Sequence, residues 1–378
     1  MKTNTKLLHD YPVIDAYTGA SSIPKYQTST FHQQKLYDDS QQFSYTRFGN
    51  PTVHALEEAL ASFENARYAL AYSSGMAAIS NVLMLVKAGE HIILPNEVYG
   101  GTCQFVNEVL PNFHIETTFV DFADLHAVEA AIQPNTAMLY LETPSNPLLK
   151  ISDIEAIVAL AKKHEILTAA DNTFMTALYQ SPLGYGVDIV VESVTKFING
   201  HSDVVAGLAA TNDEVLYEKL KLYQKNFGAI LGVEDTWLVL RGMKTMGLRM
   251  ERSIENAEKI AQFLVQHPQV KKVYYPTLAH HKGQAIHMKQ AQNGGAVLSF
   301  ELHTKEDLIR FTERIQLPIL AVSLGGVESI LSHPATMSHA CLPAHERLNQ
   351  GICDELLRLS CGIEDIEDLL EDLAQALQ

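Results

Sequence analysis

Lys196 closes the run Asp188-Ile-Val-Val-Glu-Ser-Val-Thr-Lys196, in which an apolar strand ends in hydroxyls and a single amine. An amine partly shielded from water has its charged form disfavoured, so its pKa falls toward neutrality and it becomes a competent nucleophile and base. Schiff-base formation is the chemistry this suits. The same run also describes a lysine whose stem lies along the core while its ammonium reaches water.

Three further features follow apolar strands. Tyr72-Ser-Ser-Gly-Met-Ala-Ala78 passes from strand to helix with glycine at the turn, so free N–H groups near Gly75 and Met76 can seat a phosphate; a plain helix cap by Ser73 or Ser74 reads the same way. Asp171 ends the buried run Thr168-Ala-Ala-Asp171, where a carboxylate must be paired or protonated. A protonated pyridine nitrogen is one partner; capping through Asn172 and Thr173 is the alternative. Glu142-Thr-Pro-Ser-Asn-Pro147 is a loop stiffened by two prolines that presents Asn146 to a ring hydroxyl, or is a simple turn. Phosphate seat, ring-nitrogen acid, hydroxyl partner and amine together describe pyridoxal phosphate. No Walker loop or GxGxxG occurs, and Gly184-Tyr-Gly186 has the wrong spacing, which disfavours nucleotides.

The elements that must position these residues alternate from Tyr68 to about Ala210. Strands are expected at Tyr68–Tyr72, His91–Leu94, Ile115–Val120, Ala137–Leu141, Ile166–Ala170, Asp188–Val191 and Val204–Ala210. Helices are expected at Met76–Val86, Gly101–Val109, Leu125–Ile132 and Ile154–His164. That pattern predicts an α/β fold with a mostly parallel sheet whose ligands sit at strand carboxyl ends. Residues before about Ala55 break the alternation and read as an extended polar arm. One long helix (about Asp235–Gln266) then leads to a smaller α/β region with strands at Lys272–Tyr275, Ala296–Leu302 and Leu317–Ser323, and helices near Lys305–Ile315 and Ile363–Leu377. The expected division is an arm at 1–55, a cofactor domain at 56–240 and a C-terminal domain at 241–378.

A chain of 378 residues is long enough for a large core, and a formal net charge of -16 argues against a nucleic-acid partner. The first ten residues lack a signal peptide's apolar stretch and no run of eighteen apolar residues occurs, which leads us to expect a cytoplasmic protein with no membrane contact. The 4 cysteines show no CxxC spacing and read as reduced thiols; the 16 histidines form no HExxH or Cys/His ligand pattern, so no metal is expected.

Eight ordered stretches then resemble the transsulfuration (Cys/Met metabolism) family of fold-type I pyridoxal-phosphate enzymes over essentially the full length. They are Tyr45-Thr-Arg-Phe-Gly-Asn-Pro51, Ser74-Gly-Met-Ala-Ala78, Val98-Tyr-Gly-Gly-Thr102, Glu142-Thr-Pro-Ser-Asn-Pro147, Asp171-Asn-Thr-Phe174, Ser193-Val-Thr-Lys196, Val322-Ser-Leu-Gly-Gly326 and Arg358-Leu-Ser-Cys-Gly-Ile-Glu364. The resemblance implies that Lys196 carries the cofactor, that Tyr99 stacks on its ring and assists proton transfer, and that Ser193, Thr195, Gly75 and Met76 hold its phosphate. It implies that Tyr45 and Arg47 reach the phosphate of a neighbouring subunit in a homotetramer built as a dimer of dimers. Arg358 and Ser323 would grip the substrate carboxylate, a bidentate task suited to arginine; by itself Arg358 reads as a surface cation.

Thr18-Gly-Ala-Ser-Ser-Ile-Pro24, Gln27-Thr-Ser-Thr-Phe-His32 and Ile330–His339 are similar to the Gram-positive β-lyase branch of the family. The implied activity is carbon–sulfur cleavage of cystathionine to homocysteine, pyruvate and ammonia, with γ-elimination or γ-replacement as the alternative. Two departures stand out. Val322 replaces the glutamate common before the serine in γ-synthases and γ-lyases, and Glu192 stands where relatives often carry histidine.

Overall fold

The computed structural model describes residues 1–37, 40–340 and 342–378. Seven strands form the main sheet: β1 (Tyr68–Tyr72), β2 (His91–Pro95), β3 (Glu116–Val120), β4 (Thr136–Glu142), β5 (Leu167–Asp171), β6 (Ile189–Glu192) and β7 (Gly207–Thr211). Their order is β1-β7-β6-β5-β4-β2-β3. From β6 through β3 all neighbours are parallel, while β7 runs antiparallel to both β6 and β1. A second sheet contains β8 (Val270–Tyr274), β9 (Val297–Leu302), β10 (Ile319–Leu320), β11 (Ile330–Ser332) and β12 (Leu356–Ser360), ordered β10-β11-β12-β9-β8.

The helices are α1 (Thr3–His9), α2 (Pro51–Glu64), α3 (Gly75–Leu83), α4 (Gly100–Gln104), α5 (Leu125–Ala130), α6 (Ile154–Lys163) and α7 (Thr176–Tyr179). They continue with α8 (Glu214–Phe227), α9 (Val233–Met243), α10 (Met246–Gln266), α11 (Gln284–Gln290), α12 (Lys305–Arg314), α13 (Ala344–Gln350) and α14 (Ile366–Ala376). One apolar cluster, including Leu70, Tyr72, Ile79 and Val82, lies between α3 and the main sheet. A second joins α2, α9 and the start of α10 through Leu56, Leu60, Phe63, Val239 and Met250. The small sheet has its own core, where Ile260 and Leu264 of α10 and Leu369 and Leu373 of α14 meet Leu298, Phe300, Leu357 and Leu359. Apart from the edge strand β3, the strands of the main sheet are buried throughout their central part, as expected of a parallel sheet covered on both faces.

Three expectations need correction. The region before Ala55 is not wholly extended: α2 begins at Pro51, with Asn50 accepting from the Thr52 N–H as its cap and proline at the first helical position. The expected long helix is two, broken at Lys244–Thr245. At the break the guanidinium of Arg249 takes the Gly242 carbonyl at 2.9 Å, and Gly242 itself lies so close to the Asn199 carbonyl that a Cβ would sit 2.3 Å from it. The strand expected at Leu317–Ser323 is reduced to Ile319–Leu320, because the segment turns away to carry Ser323 at φ 86°. Among the described residues no helix is long and apolar enough to cross a membrane. Cys103, Cys353 and Cys361 form no disulfide among the described residues, and Cys341 lies outside them.

Candidate active site

A cavity of about 600 Å³ opens at the carboxyl ends of β1, β4, β5 and β6. Lys196, Tyr99, Gly75, Met76, Asn146, Asp171, Ser193, Thr195, Ser323 and Arg358 all line it. Tyr45 and Arg47 do not; Arg47 instead donates to the Lys225 carbonyl at 2.8 Å and lies over the Tyr45 and Phe48 rings.

Lys196 follows the end of β6 on a turn whose backbone is held by Arg249, which donates to the Phe197 and Ile198 carbonyls. Its Nζ donates to Ser323 Oγ at 2.6 Å. Gly325, at φ 81°, allows this approach, since a Cβ there would stand 2.7 Å from the Phe197 nitrogen. The left-handed backbone of Ser323 itself is a conformation that costs about 1–3 kcal/mol and persists where surrounding structure enforces it. Burial, then the nearby Arg358 charge, lowers the Lys196 amine to about 8, with Asp171 opposing. Its partial burial and its bond to Ser323 favour the nucleophile over the solvated ammonium. Because the neutral amine attacks an aldehyde, uptake of pyridoxal phosphate by apoprotein should accelerate as pH rises through about 8. Stopped-flow absorbance reads this directly, and a rise centred near the ordinary lysine value of about 10.4 would contradict it.

Asp171 and Glu142 are register partners at the ends of β5 and β4. Asp171 accepts from the Thr173 N–H at 3.0 Å, so the capping role is real, but among the described residues no cation forms an ion pair with it. Burial raises its pKa, while the bonds from Thr173 and the charge of Lys196 pull the other way. Such a carboxylate fits a cationic ring nitrogen. Glu142, whose role the sequence reading did not assign, accepts from the backbone N–H groups of Tyr99 at 2.7 Å and Asn146 at 3.1 Å. It thus fixes both loops where they line the cavity. Burial, then the charge on Asp171, raises the Glu142 carboxyl.

The phosphate seat is built by close approach. Ser74 caps α3 by accepting from Ala77 at 2.9 Å, leaving the first-turn amides of Gly75 and Met76 pointing out of the helix end. A Cβ on Gly75 would stand 2.9 Å from Ser193 Oγ, and one on Gly207 would stand 2.3 Å from the Ser74 carbonyl. Only glycine lets these segments close into a cradle. Thr195 differs from Ser193: its hydroxyl donates to the Ala206 carbonyl and accepts the Ala206 N–H, so its hydrogen is already engaged.

Arg358, on β12, is 2 % exposed and has no carboxylate partner among the described residues. Its Nη1 donates to Asn146 Oδ1 at 2.9 Å and its Nη2 to the Ser323 carbonyl and Ser332 Oγ, while Nε is buried with no acceptor among the described residues. A buried cation bonded only to neutral oxygens, with one donor idle, is suited to an anionic ligand. Burial lowers it to about 10, with Tyr99 and Glu142 opposing. Because Asn146 Oδ1 is committed to Arg358, its amide NH2 is what remains for a ring oxygen. Ser338, also on the cavity wall, lies 2.9 Å from His339 Nδ1 and was not singled out from the sequence. The donor cradle, the unpaired Asp171 and the low-pKa amine fit pyridoxal phosphate.

Comparison with known proteins agrees. Cystathionine beta-lyase MetC of Bacillus subtilis is 52% identical over 374 residues, covering 99% of this chain and 96% of that one. Cystathionine gamma-lyase of the same species is 46% identical over 378 residues, covering 100% of both. The solved structure of cystathionine gamma-lyase from Lactobacillus plantarum complexed with L-serine superposes with a TM-score of 0.97 at 46% identity, over 100% of this chain and 98% of that one. Residues 4–378 match the Cys/Met metabolism PLP-dependent enzymes, and with these likenesses spanning nearly every residue the chain belongs to that family.

Proposed function

We propose that the chain is a carbon–sulfur β-lyase that converts L-cystathionine and water to homocysteine, pyruvate and ammonia in methionine biosynthesis. The observation that carries this reading is the convergence of a low-pKa amine, Lys196, and a buried arginine with an idle donor, Arg358, on Ser323, the first at its hydroxyl and the second at its carbonyl. When bound, pyridoxal phosphate supplies the electron-accepting ring that allows the α-carbon to lose its proton. Arg358 and Ser323 hold the substrate carboxylate, fixing the α-carbon within reach of Lys196. Lys196 Nζ takes the α-proton as a neutral base and can return it to the departing sulfur. With the cofactor bound, Asp171 would keep the ring nitrogen cationic, Tyr99 would pack on the ring, and Gly75, Met76, Ser193 and Thr195 would receive the phosphate, Thr195 by redirecting its hydroxyl from Ala206.

The preference for β- over γ-elimination is supported by Val322. It stands on the cavity wall, 62% exposed, and offers no charge to a distal ammonium. The 52% identity to a β-lyase points the same way. A γ-lyase is the second reading, favoured by the relatives of that name at 46% identity. Analysis of the keto acid formed from cystathionine by purified holoenzyme separates them: pyruvate with equimolar homocysteine is expected, whereas 2-oxobutyrate with cysteine would overturn the β-lyase reading.

The enzyme acts in the cytoplasm as a homotetramer, a dimer of dimers in which Tyr45 and Arg47 complete a neighbour's phosphate seat. Their position outside their own cavity supports this. Sedimentation that gave a monomer would oppose it. The division into 1–55, 56–240 and 241–378 is likewise proposed, supported by the core of the small sheet, which shares no residue with the core between α3 and the main sheet.

A further inference from the structure

Glu64 ends α2, Glu192 ends β6, and each is 1% exposed. Their carboxyl groups meet. Glu192 Oε1 accepts from Asn172 Nδ2 at 3.1 Å, but Glu192 Oε2 and both oxygens of Glu64 have no donor among the described residues. Two ionised carboxylates in this situation would suffer repulsion and desolvation together. A proton between them removes both defects, because the O–H of one acid donates to the other.

Among the described residues no cation is found acting on either carboxyl. Asp171 on β5 is the further charged group that acts on Glu192, and it adds a like charge. On α1, packed against α2, Lys6 is bonded to Asn65 and Asp10 to Ser62. On α9, Glu234 pairs with Lys25, and Tyr179 at the end of α7 responds to Glu251.

The pair is tied to the cofactor seat. Asn172 also donates to the Gln180 carbonyl at 2.9 Å, and Gln180 Nε2 donates to Asn172 Oδ1 at 3.0 Å and to the Thr143 carbonyl at 2.7 Å. Asn172 lies between Asp171 and Thr173, and the Thr173 hydroxyl accepts from the Ser193 N–H at 2.9 Å.

We propose that Glu64 and Glu192 share one proton, and that this acid–carboxylate pair is a positioning device that holds the ends of β5 and β6, with Asp171 and Ser193, against α2 until the proton is lost at alkaline pH. Burial raises both carboxyls, Glu64 to about 7 and Glu192 well above its ordinary value. An unfolded chain releases these protons near about 4.3, so the folded form binds more protons above that pH. The pair's stabilisation is therefore full below about 4.3 and is lost as pH rises through about 7 and beyond.

Melting temperatures of apoprotein across the range from about pH 5 to about pH 9 test the shared proton, using wild type, Glu192→Gln and the mirror variant Glu64→Gln. A glutamine amide donates to the remaining carboxylate without titrating, so the variant curves should be flatter and cross the wild type, lying several degrees above it at the alkaline end. The infrared carbonyl band of protonated carboxylic acid at about pH 8 should lose intensity in either variant relative to wild type. Parallel melting curves, or an unchanged band, would overturn proton sharing. For positioning, which rests on reading Asp171 and Ser193 as cofactor contacts, the readout is the pH at which holoenzyme releases its cofactor, expected to move upward in the variants. Crossing melting curves with unmoved release would overturn it. Ser193→Ala and Asp171→Asn, measured alongside, must weaken cofactor retention, and their failure to do so would locate the error in those contacts instead.

Discussion

Lys196→Ala is expected to reduce turnover of cystathionine by at least about 10⁴-fold, the scale seen when a nucleophile that acts as part of a unit is removed. The variant loses two functions at once. It has no amine with which to hold the cofactor covalently, and no base at the position where the α-proton leaves. Neighbours cannot substitute: Ser323 Oγ is an ordinary hydroxyl left without its 2.6 Å partner, and Arg358 stays charged at any working pH. Fold and stability should survive, because removing a partly buried amine relieves a desolvation cost. Circular dichroism matching wild type, together with loss of product formation, is the expected pair of results. A rate within about tenfold of wild type would contradict the role given to Lys196.

Arg358→Lys is expected to lower kcat/KM by about 10²–10³-fold, with bound cofactor still visible by absorbance. Lysine preserves the charge but presents a single ammonium in place of a planar fork, and it cannot hold Asn146 Oδ1, the Ser323 carbonyl and a substrate carboxylate together. Loss of a buried, hydrogen-bonded charge contact costs about 2–5 kcal/mol, which sets that range. Part of the effect should fall on KM, since the carboxylate contact is present in the bound substrate, and part on kcat, since misplacement moves the α-carbon relative to Lys196. A change of less than about fivefold in kcat/KM would show that another group receives the carboxylate.

The residues legible from sequence are those at the ends of apolar strands. Asp171, Lys196 and Asn146 each follow such a run, and a parallel sheet delivers strand ends to one edge, so their convergence follows from the fold class. Glu142 obeys the same rule, ending β4 as Asp171 ends β5, and the argument applied to Asp171 would have found it. The reversed direction of β7 was not legible, because an apolar strand reads alike in either sense. Nor was the break between α9 and α10: the pattern of apolar residues continues through it, and the cause is a tertiary one, Arg249 capturing the Gly242 carbonyl. Arg358 shows the limit most plainly. Its place in β12 is set by pairing with β9 and β11, and only that pairing turns an apparent surface cation into a buried one. Glu192 was visible as a departure from relatives, but its meaning depends on Glu64, a helix residue that nothing nearby in sequence connects to it.

Borohydride reduction of the purified protein, followed by peptide mass spectrometry, tests the central claim most directly. The account predicts a pyridoxyl group fixed on Lys196 in stoichiometric amount, with loss of visible absorbance and activity in step. Modification of a different lysine, or an unmodified Lys196 peptide from catalytically active protein, would contradict it.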